Sequence, residues 1–281
     1  MEILRRVSEL REWSRRERND GGNTIGLVPT MGALHAGHAS LIRAASESCG
    51  FVAVSIFVNP TQFGPNEDFS RYPRTFDADC ALAEANGANV IFAPTVEELY
   101  PTGSSTFVDV EELSNRLDGL SRPGHFRGVA TVVSKLLIAA EPDRAFFGQK
   151  DAAQVSVLRR MVTDFRIGTE IVVCPIVRES DGLALSSRNA YLSPAERKQA
   201  LVLSRAIRKV ESLYSIGERD SAKLIAAARD TFATEPAVRI DYVELVDGPT
   251  LQPLETAAPG ALFAVAAYVG STRLIDNTIL G

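Results

Sequence analysis

Residues 24–38 read Thr24-Ile25-Gly26-Leu27-Val28-Pro29-Thr30-Met31-Gly32-Ala33-Leu34-His35-Ala36-Gly37-His38. An apolar run opens the stretch, and a helix-compatible run, Ala39 to Ser48, follows it. The pattern predicts a buried strand, a polar turn and a helix in succession. Two of the chain's three histidines, His35 and His38, stand in the turn. The first N–H groups of a helix lack intrahelical partners and its dipole is positive there, so that end attracts phosphate. Gly32 and Gly37 let the backbone approach a ligand closely. Imidazoles can donate hydrogen bonds to phosphoryl oxygens. The functional reading is nucleotide phosphate binding with charge stabilisation at the α-phosphate. The plain alternative is a structural turn with two solvated histidines.

Phe51 to Val58 is a continuous apolar run, as expected of a parallel strand buried on both faces. Strand, helix and second strand make a βαβ unit. Asn89–Ala93, Asp143–Phe147 and Glu170–Pro175 read as further strands, and Thr106–Val110 as a shorter one. Helices are expected over 3–17, from Thr75 to about Asn86, over 111–117, 129–140 and roughly 152–164. In the first, Ile3, Val7 and Leu10 share a face, and Asn19-Asp20-Gly21-Gly22 ends it. Residues 59–74 form a long loop with three prolines, and such loops are more often functional than filler.

The pattern changes near residue 176. Ser193-Pro194-Ala195-Glu196 has capping-box chemistry with proline at the first helical position. The helix it opens would bury Leu203, Ile207, Val210 and Tyr214, and a second covers about 220–233. Three β-rich runs end the chain, Val238–Val246, Ala261–Val269 and Arg273–Leu280, with a turn at Asp247-Gly248-Pro249. The expected class is α/β: a parallel-sheet domain over 1–176 and a smaller α+β domain with an antiparallel sheet over 177–281.

The 281 residues are 45% apolar and 23% charged, an ordinary globular balance. The net charge of −5, with no basic stripe, argues against a nucleic-acid partner. No uncharged apolar run reaches membrane-spanning length, so no membrane association is expected. The N-terminus runs into charged sequence rather than an apolar signal region. Cys49, Cys80 and Cys174 are far apart and form no CxxC, which fits a reduced, cytoplasmic protein.

Other stretches carry chemistry beside the histidine turn. Gly148-Gln149-Lys150-Asp151 follows a strand, where ligands collect in open α/β sheets. Lys150 could neutralise phosphate charge, and Asp151 could accept from a sugar hydroxyl or a backbone N–H. Gln154, one helical turn on, could face the same cleft. The alternative is a helix cap with a solvated lysine. Asp181 to Asn189 holds Ser186, Ser187 and Arg188, which could grip phosphates; alone, a serine-rich surface loop is the simpler reading. Asn59 and Gln62 are neutral amides suited to a hydroxyl or carboxylate ligand without the cost of burying a charge. Asp68, Asp77 and Asp79 are candidate magnesium partners or simply surface carboxylates. His125 is open between a core hydrogen bond and a role in a cleft.

Taken together these motifs resemble one family. Pro29 to His38, Phe57-Val58-Asn59-Pro60 with Gln62-Phe63-Gly64, Tyr72-Pro73-Arg74-Thr75, His125 to Val129, Phe147-Gly148 with Lys150-Asp151, and Ser186 to Asn189 are similar to the pantoate–β-alanine ligases. The first motif alone would point only to the wider nucleotidylyltransferase and class I aminoacyl-tRNA synthetase group. The resemblance implies a Rossmann-like domain, a C-terminal lid and a homodimer. It implies that ATP and pantoate form a pantoyl adenylate, which the amine of β-alanine attacks, giving pantothenate and AMP. Magnesium (Mg2+) would accompany ATP.

Carried over by motif, Met31, Gly32, Ala33, Leu34, His35, Ala36, Gly37 and His38 would contact ATP. So would Gly148, Gln149, Lys150, Asp151, Val177, Leu185, Ser186, Ser187 and Arg188. Gln62 and Gln154 would hold pantoate, with Gln62 also near β-alanine. His38 is the family's proton-donor position, with His35 and Lys150 in support. Three departures stand out. Leu185 replaces the usual methionine, Asp118 stands where glutamate is common, and Ala78 and Leu82 fall where some relatives carry polar groups near magnesium. No metal ligand is therefore assigned.

Overall fold

The computed structural model describes residues 1–19, 22–65 and 67–281. Asp20 and Gly21 of the expected helix stop, and Asn66 of the 59–74 loop, lie outside the described residues. By internal packing the chain divides into two compact units, Met1–Gly148 with Val157–Pro175, and Gln149–Ser156 with Ile176–Gly281.

In the first unit the elements run β1 (Glu2–Leu4), α1 (Val7–Asn19), β2 (Ile25–Thr30), α2 (Ala36–Ser48), β3 (Phe51–Ile56), α3 (Phe76–Ala85), β4 (Val90–Phe92), α4 (Val96–Leu99), α5 (Asp118–Ser121), α6 (His125–Ala140), β5 (Arg144–Gly148), α7 (Ala152–Asp164) and β6 (Glu170–Cys174). The first turn of α7 groups with the second unit. The six strands pair in parallel in the order β1-β4-β3-β2-β5-β6. The order reverses between β2 and β5, the switch point where open α/β sheets bind ligands beyond the strand ends. Val28, Val52, Val54, Ile91 and Phe146 of the sheet pack against Ile42 and Ala45 of α2 and Ala83 of α3. Gly26 permits that approach: a Cβ there would meet Phe146 at 3.2 Å and Cys49 at 3.1 Å.

The second unit adds α8 (Pro194–Ser215), α9 (Ser221–Phe232), β7 (Val238–Asp247), β8 (Ala261–Val269) and β9 (Thr272–Ile279). These strands form an antiparallel sheet in the order β7-β8-β9. Leu203, Ile207, Val210 and Tyr214 of α8 are buried with Phe232, Phe263 and Val265. The capping box forms as expected: Ser193 accepts from Glu196 N, and Glu196 caps the Ser193 N–H. The α/β class with a Rossmann-like sheet and a small antiparallel domain therefore holds.

Four local expectations need correction. Ile3 lies in β1, paired in register with Ile91, not on α1. Backbone pairing with β4 claims these residues, Glu2 N donating to Asn89 O at 3.3 Å and Ala93 N to Leu4 O at 2.8 Å, and the helix starts only at Val7. Residues 106–110 are not a strand; the Val108 amide donates to Thr131 Oγ1 at 2.9 Å and the Val110 amide to Ser114 Oγ at 3.2 Å. Helix α6 begins at His125 rather than near Val129, entered through Gly124 at φ 83°. The 111–117 helix is replaced by a 3-10 turn at Leu113–Asn115 and the single-turn α5.

Candidate active site

At the carboxyl end of β2, Thr30 Oγ1 donates to Ser55 O at 2.6 Å and accepts from Gly32 N at 3.2 Å. The chain then turns through two left-handed residues, Gly32 at φ 84° and Ala33 at φ 50°. Such a conformation costs a non-glycine residue and persists only where its surroundings hold it. Here α3 supplies the hold. Asp79, 2% exposed, accepts from Ala33 N at 2.9 Å and Leu34 N at 2.7 Å, and Thr75 Oγ1 donates to it at 3.0 Å.

That turn delivers His35 to the N-cap of α2 and His38 to its third residue. His35 Nδ1 accepts from Gly37 N at 3.1 Å, and His38 Nδ1 accepts from His35 N at 3.3 Å. Each neutral ring must then carry its proton on Nε2, the nitrogen turned away from the cap. The ring centroids lie 4.2 Å apart. Two N–H donors thus stand together at the positive end of a thirteen-residue helix.

Gln62 ends a 3-10 turn, Pro60–Gln62, within the expected loop. Its Nε2 donates to Met31 Sδ at 3.1 Å, and its Oε1 accepts from Asn59 Nδ2 at 3.0 Å. The structure thereby joins the amide to the histidine turn through Met31. Asn59 is 1% exposed: its Nδ2 also donates to Gly128 O at 3.1 Å, and its Oδ1 accepts from Thr61 Oγ1 and Tyr100 Oη, each at 2.9 Å. It is a buried hub for the Gln62 turn.

The hydrogen bonding of His125 resolves its ambiguity. Arg122 only donates, so its Nη1, 3.0 Å away, fixes His125 Nε2 as acceptor, and Nδ1–H donates to Gln62 O at 2.9 Å. Arg122 in turn binds Glu67 through two contacts of 2.7 Å. Burial, then the neighbouring Arg122 charge, pushes the His125 pKa down to about 4. The Arg122 guanidinium holds the Glu67 carboxyl below its ordinary range, although burial opposes it. Arg122, Glu67 and Tyr100 do not stand out in the sequence: the two charges look like any other loop charges, and Tyr100 stands at the end of a single-turn helix far along the chain from Asn59.

The remaining expected residues fall in the second unit, apart from Gly148 at the end of β5. Gln149–Asp151 is a 3-10 turn leading into α7, with Gln154 in the first turn of that helix. Lys150 Nζ lies 3.4 Å from Asp151 Oδ1. Val177 to Leu185 folds back on itself: Leu185 N donates to Val177 O at 3.0 Å, and Arg178 bridges Ala184. Arg197 binds Glu179 and Asp181, each at 2.7 Å, and Asn189 Nδ2 donates to Glu179 Oε1 at 2.9 Å and Ala184 O at 3.1 Å. This scaffold presents Ser186, whose Oγ accepts from Arg188 N at 3.3 Å.

No group of three or more histidine, cysteine or acidic side chains is arranged to hold a metal among the described residues. The Asp79 oxygens are already committed to backbone donors. Nor is any helix among the described residues long and apolar enough to cross a membrane.

Comparison with known proteins fits this geometry. A sequence model described as pantoate-beta-alanine ligase matches residues 2–279. The chain is 64% identical over 261 residues to the pantothenate synthetase of Acidobacterium capsulatum, covering 93% of this chain and 87% of that one. The crystal structure of pantothenate synthetase from Thermus thermophilus superposes with a TM-score of 0.94 at 46% identity, covering 99% of both chains. A pantoate-beta-alanine ligase from Francisella tularensis, complexed with beta-gamma ATP and beta-alanine, superposes with a TM-score of 0.80 at 34% identity, covering 99% of this chain and 97% of that one. The chain belongs to the pantoate–β-alanine ligase family.

Proposed function

We propose that the chain joins pantoate to β-alanine in two steps, with the histidine turn as the centre of the first. A pantoate carboxylate oxygen attacks the α-phosphorus of ATP. The bond from that phosphorus to the bridging oxygen breaks, and pyrophosphate leaves. The amine of β-alanine then attacks the acyl carbon of the adenylate. AMP leaves, the nitrogen loses its extra proton, and pantothenate results.

A carboxylate is a weak nucleophile and the phosphates repel it, so catalysis rests on positioning and charge stabilisation. The observation that carries the reading is the paired commitment of both Nδ1 atoms, which leaves His35 and His38 as Nε2–H donors at a helix N-terminus joined to Gln62 through Met31. His38 is assigned as principal donor to the α-phosphate, with His35 and Lys150 in support. ATP contacts are assigned to Met31–His38, Gly148–Asp151, Val177 and Leu185–Arg188. Gln62 and Gln154 are assigned to pantoate, with Gln62 also beside β-alanine. The first unit serves as the nucleotide and pantoate platform and the C-terminal unit as a lid that keeps water from the adenylate.

Magnesium is assigned to the nucleotide phosphates. The ion commonly keeps several waters and binds through substrate phosphates rather than a protein cage. The described residues offer no such cage, and no step is routed through the metal. A homodimer in the cytoplasm, without nucleic-acid or membrane partners, completes the proposal.

Isotope exchange between ATP and pyrophosphate tests it. Exchange is expected with pantoate and without β-alanine. Exchange driven by an amino acid instead, or none with pantoate, overturns the assignment.

A further inference from the structure

Asn277 is a polar residue in the last strand, β9, and is 3% exposed. A buried amide needs a full set of partners, and the identity of those partners shows what it holds. Asn277 Nδ2 donates to Gln149 O at 3.0 Å and to Lys150 O at 2.9 Å. Gln149 Nε2 returns a bond to Asn277 Oδ1 at 3.3 Å. Both ends of the side chain therefore close on one short turn, the turn that carries Lys150.

Its neighbour does the same for the other polar stretch of this unit. Asp276, 2% exposed, receives Arg178 Nη1 at 2.6 Å and Nη2 at 2.9 Å. Arg178 Nη1 also donates to Gly182 O at 3.1 Å, inside the hairpin that leads to Ser186 and Arg188. Consecutive residues of β9 thus anchor the lysine turn and the serine–arginine hairpin.

We infer that Asn277 is the positioning residue of Lys150, fixing the Gln149–Lys150 carbonyls so that the ammonium is aimed at phosphate. The inference rests on the assignment of Lys150 above. A lysine is a point charge on a flexible four-carbon stem, so its placement is only as good as that of its backbone. Its contact with Asp151, at 3.4 Å, is too long and too exposed to fix the ammonium. The backbone anchor is the feature that can.

A double-mutant cycle on pantoate-dependent ATP–pyrophosphate exchange tests the inference, using the full chain. The variants are Asn277→Ala, Lys150→Ala and the pair together, with folding checked by urea unfolding. Asn277→Ala is expected to lower the exchange kcat by about 10- to 100-fold, the scale of a small misplacement of a catalytic group. Adding it to Lys150→Ala is expected to cost almost nothing more, because residues that act through one another are not additive. A merely structural role lowers exchange by the same factor in both backgrounds, and that result overturns the inference. Asn277→Asp keeps the volume and the acceptor for Gln149 but removes both donors, so it carries the cycle if the alanine variant fails to fold. Full exchange by Asn277→Asp also overturns the inference. Absence of pantoate-dependent exchange in the unmodified chain counts against the proposed reaction, whereas unchanged exchange in Asn277→Ala beside an active parent counts against Asn277 alone.

Discussion

Asp79 accepts the amide proton of Ala33 at 2.9 Å while Ala33 sits in the left-handed region at φ 50°. The carboxylate on α3 is what holds the residue two before the N-cap histidine in an unfavourable conformation. Asp79→Asn keeps the shape but turns one acceptor into a donor facing an N–H. Leaving such a buried group unsatisfied costs about 1–3 kcal/mol. The expected outcome is a less stable protein whose pantoate-dependent exchange falls by about tenfold or more, since misplaced donors lose much of their effect. Urea unfolding and exchange measured together check this; a variant equal to the parent in both would free Asp79 for some other role.

His38→Ala removes an assigned donor together with the Nδ1 that accepts from His35 N, and leaves the N-cap side chain itself in place. Loss of one positioned transition-state donor typically costs about 10²-fold in kcat. Both rings also cap the helix through Nδ1, His35 by accepting from Gly37 N and His38 by accepting from His35 N. Asparagine is among the best N-caps, so His35→Asn is expected to keep stability while losing the Nε2 donor. Initial rates and thermal unfolding of both variants separate the cap from the chemistry. Near-normal turnover of His38→Ala would remove that ring from the reaction.

Gly128 explains why α6 can lie against the Gln62 turn. A Cβ at Gly128 would stand 2.6 Å from Gln62 Cα, closer than real side chains come to backbone. Gly128→Ala must displace the turn, and overpacking of this kind costs about 1–3 kcal/mol. If Gln62 holds pantoate, KM for pantoate rises while KM for ATP changes little. A variant with unchanged stability and unchanged KM would show that the turn is not held there.

Much of this was legible because the strand-to-helix junction announces itself locally. The β2–α2 junction, the Ser193 capping box and the three C-terminal β runs need only neighbours in sequence to be seen. What stayed hidden depends on partners far along the chain. Ile3 looked helical because its pairing with Ile91 lies 88 residues away. Asn277 sat in a β-rich run in which half the side chains are polar, so only its burial, seen once the sheet is formed, marks it as the informative exception. Asp79 looked like a surface or magnesium carboxylate until the positive φ of Ala33 gave it a backbone to hold. The arginine beside His125 was only another loop charge until the fold placed Glu67 against it.

The His125 network also sets a pH dependence of stability. The ring is neutral in the folded protein, with its pKa lowered to about 4 from the ordinary value of 6.5, first by burial and then by Arg122. Between those values the unfolded chain binds more protons than the folded one, so stability rises with pH across that window. The contribution is fully present above about pH 6.5 and is lost as pH falls toward about 4, where the folded ring protonates. At pH 5 the loss relative to pH 7.5 is about 2 kcal/mol. Of the groups facing the ring, Glu67, whose pKa is lowered, contributes stability present above about pH 4.5 and lost as pH falls further. Asp118 lowers the cost of charging the ring but does not cancel it. Urea unfolding at pH 5 and pH 7.5 reads the effect directly. His125→Gln is expected to be less stable at pH 7.5 and to show a flatter slope between the two, and an identical slope in both proteins would mean that His125 is not the titrating group.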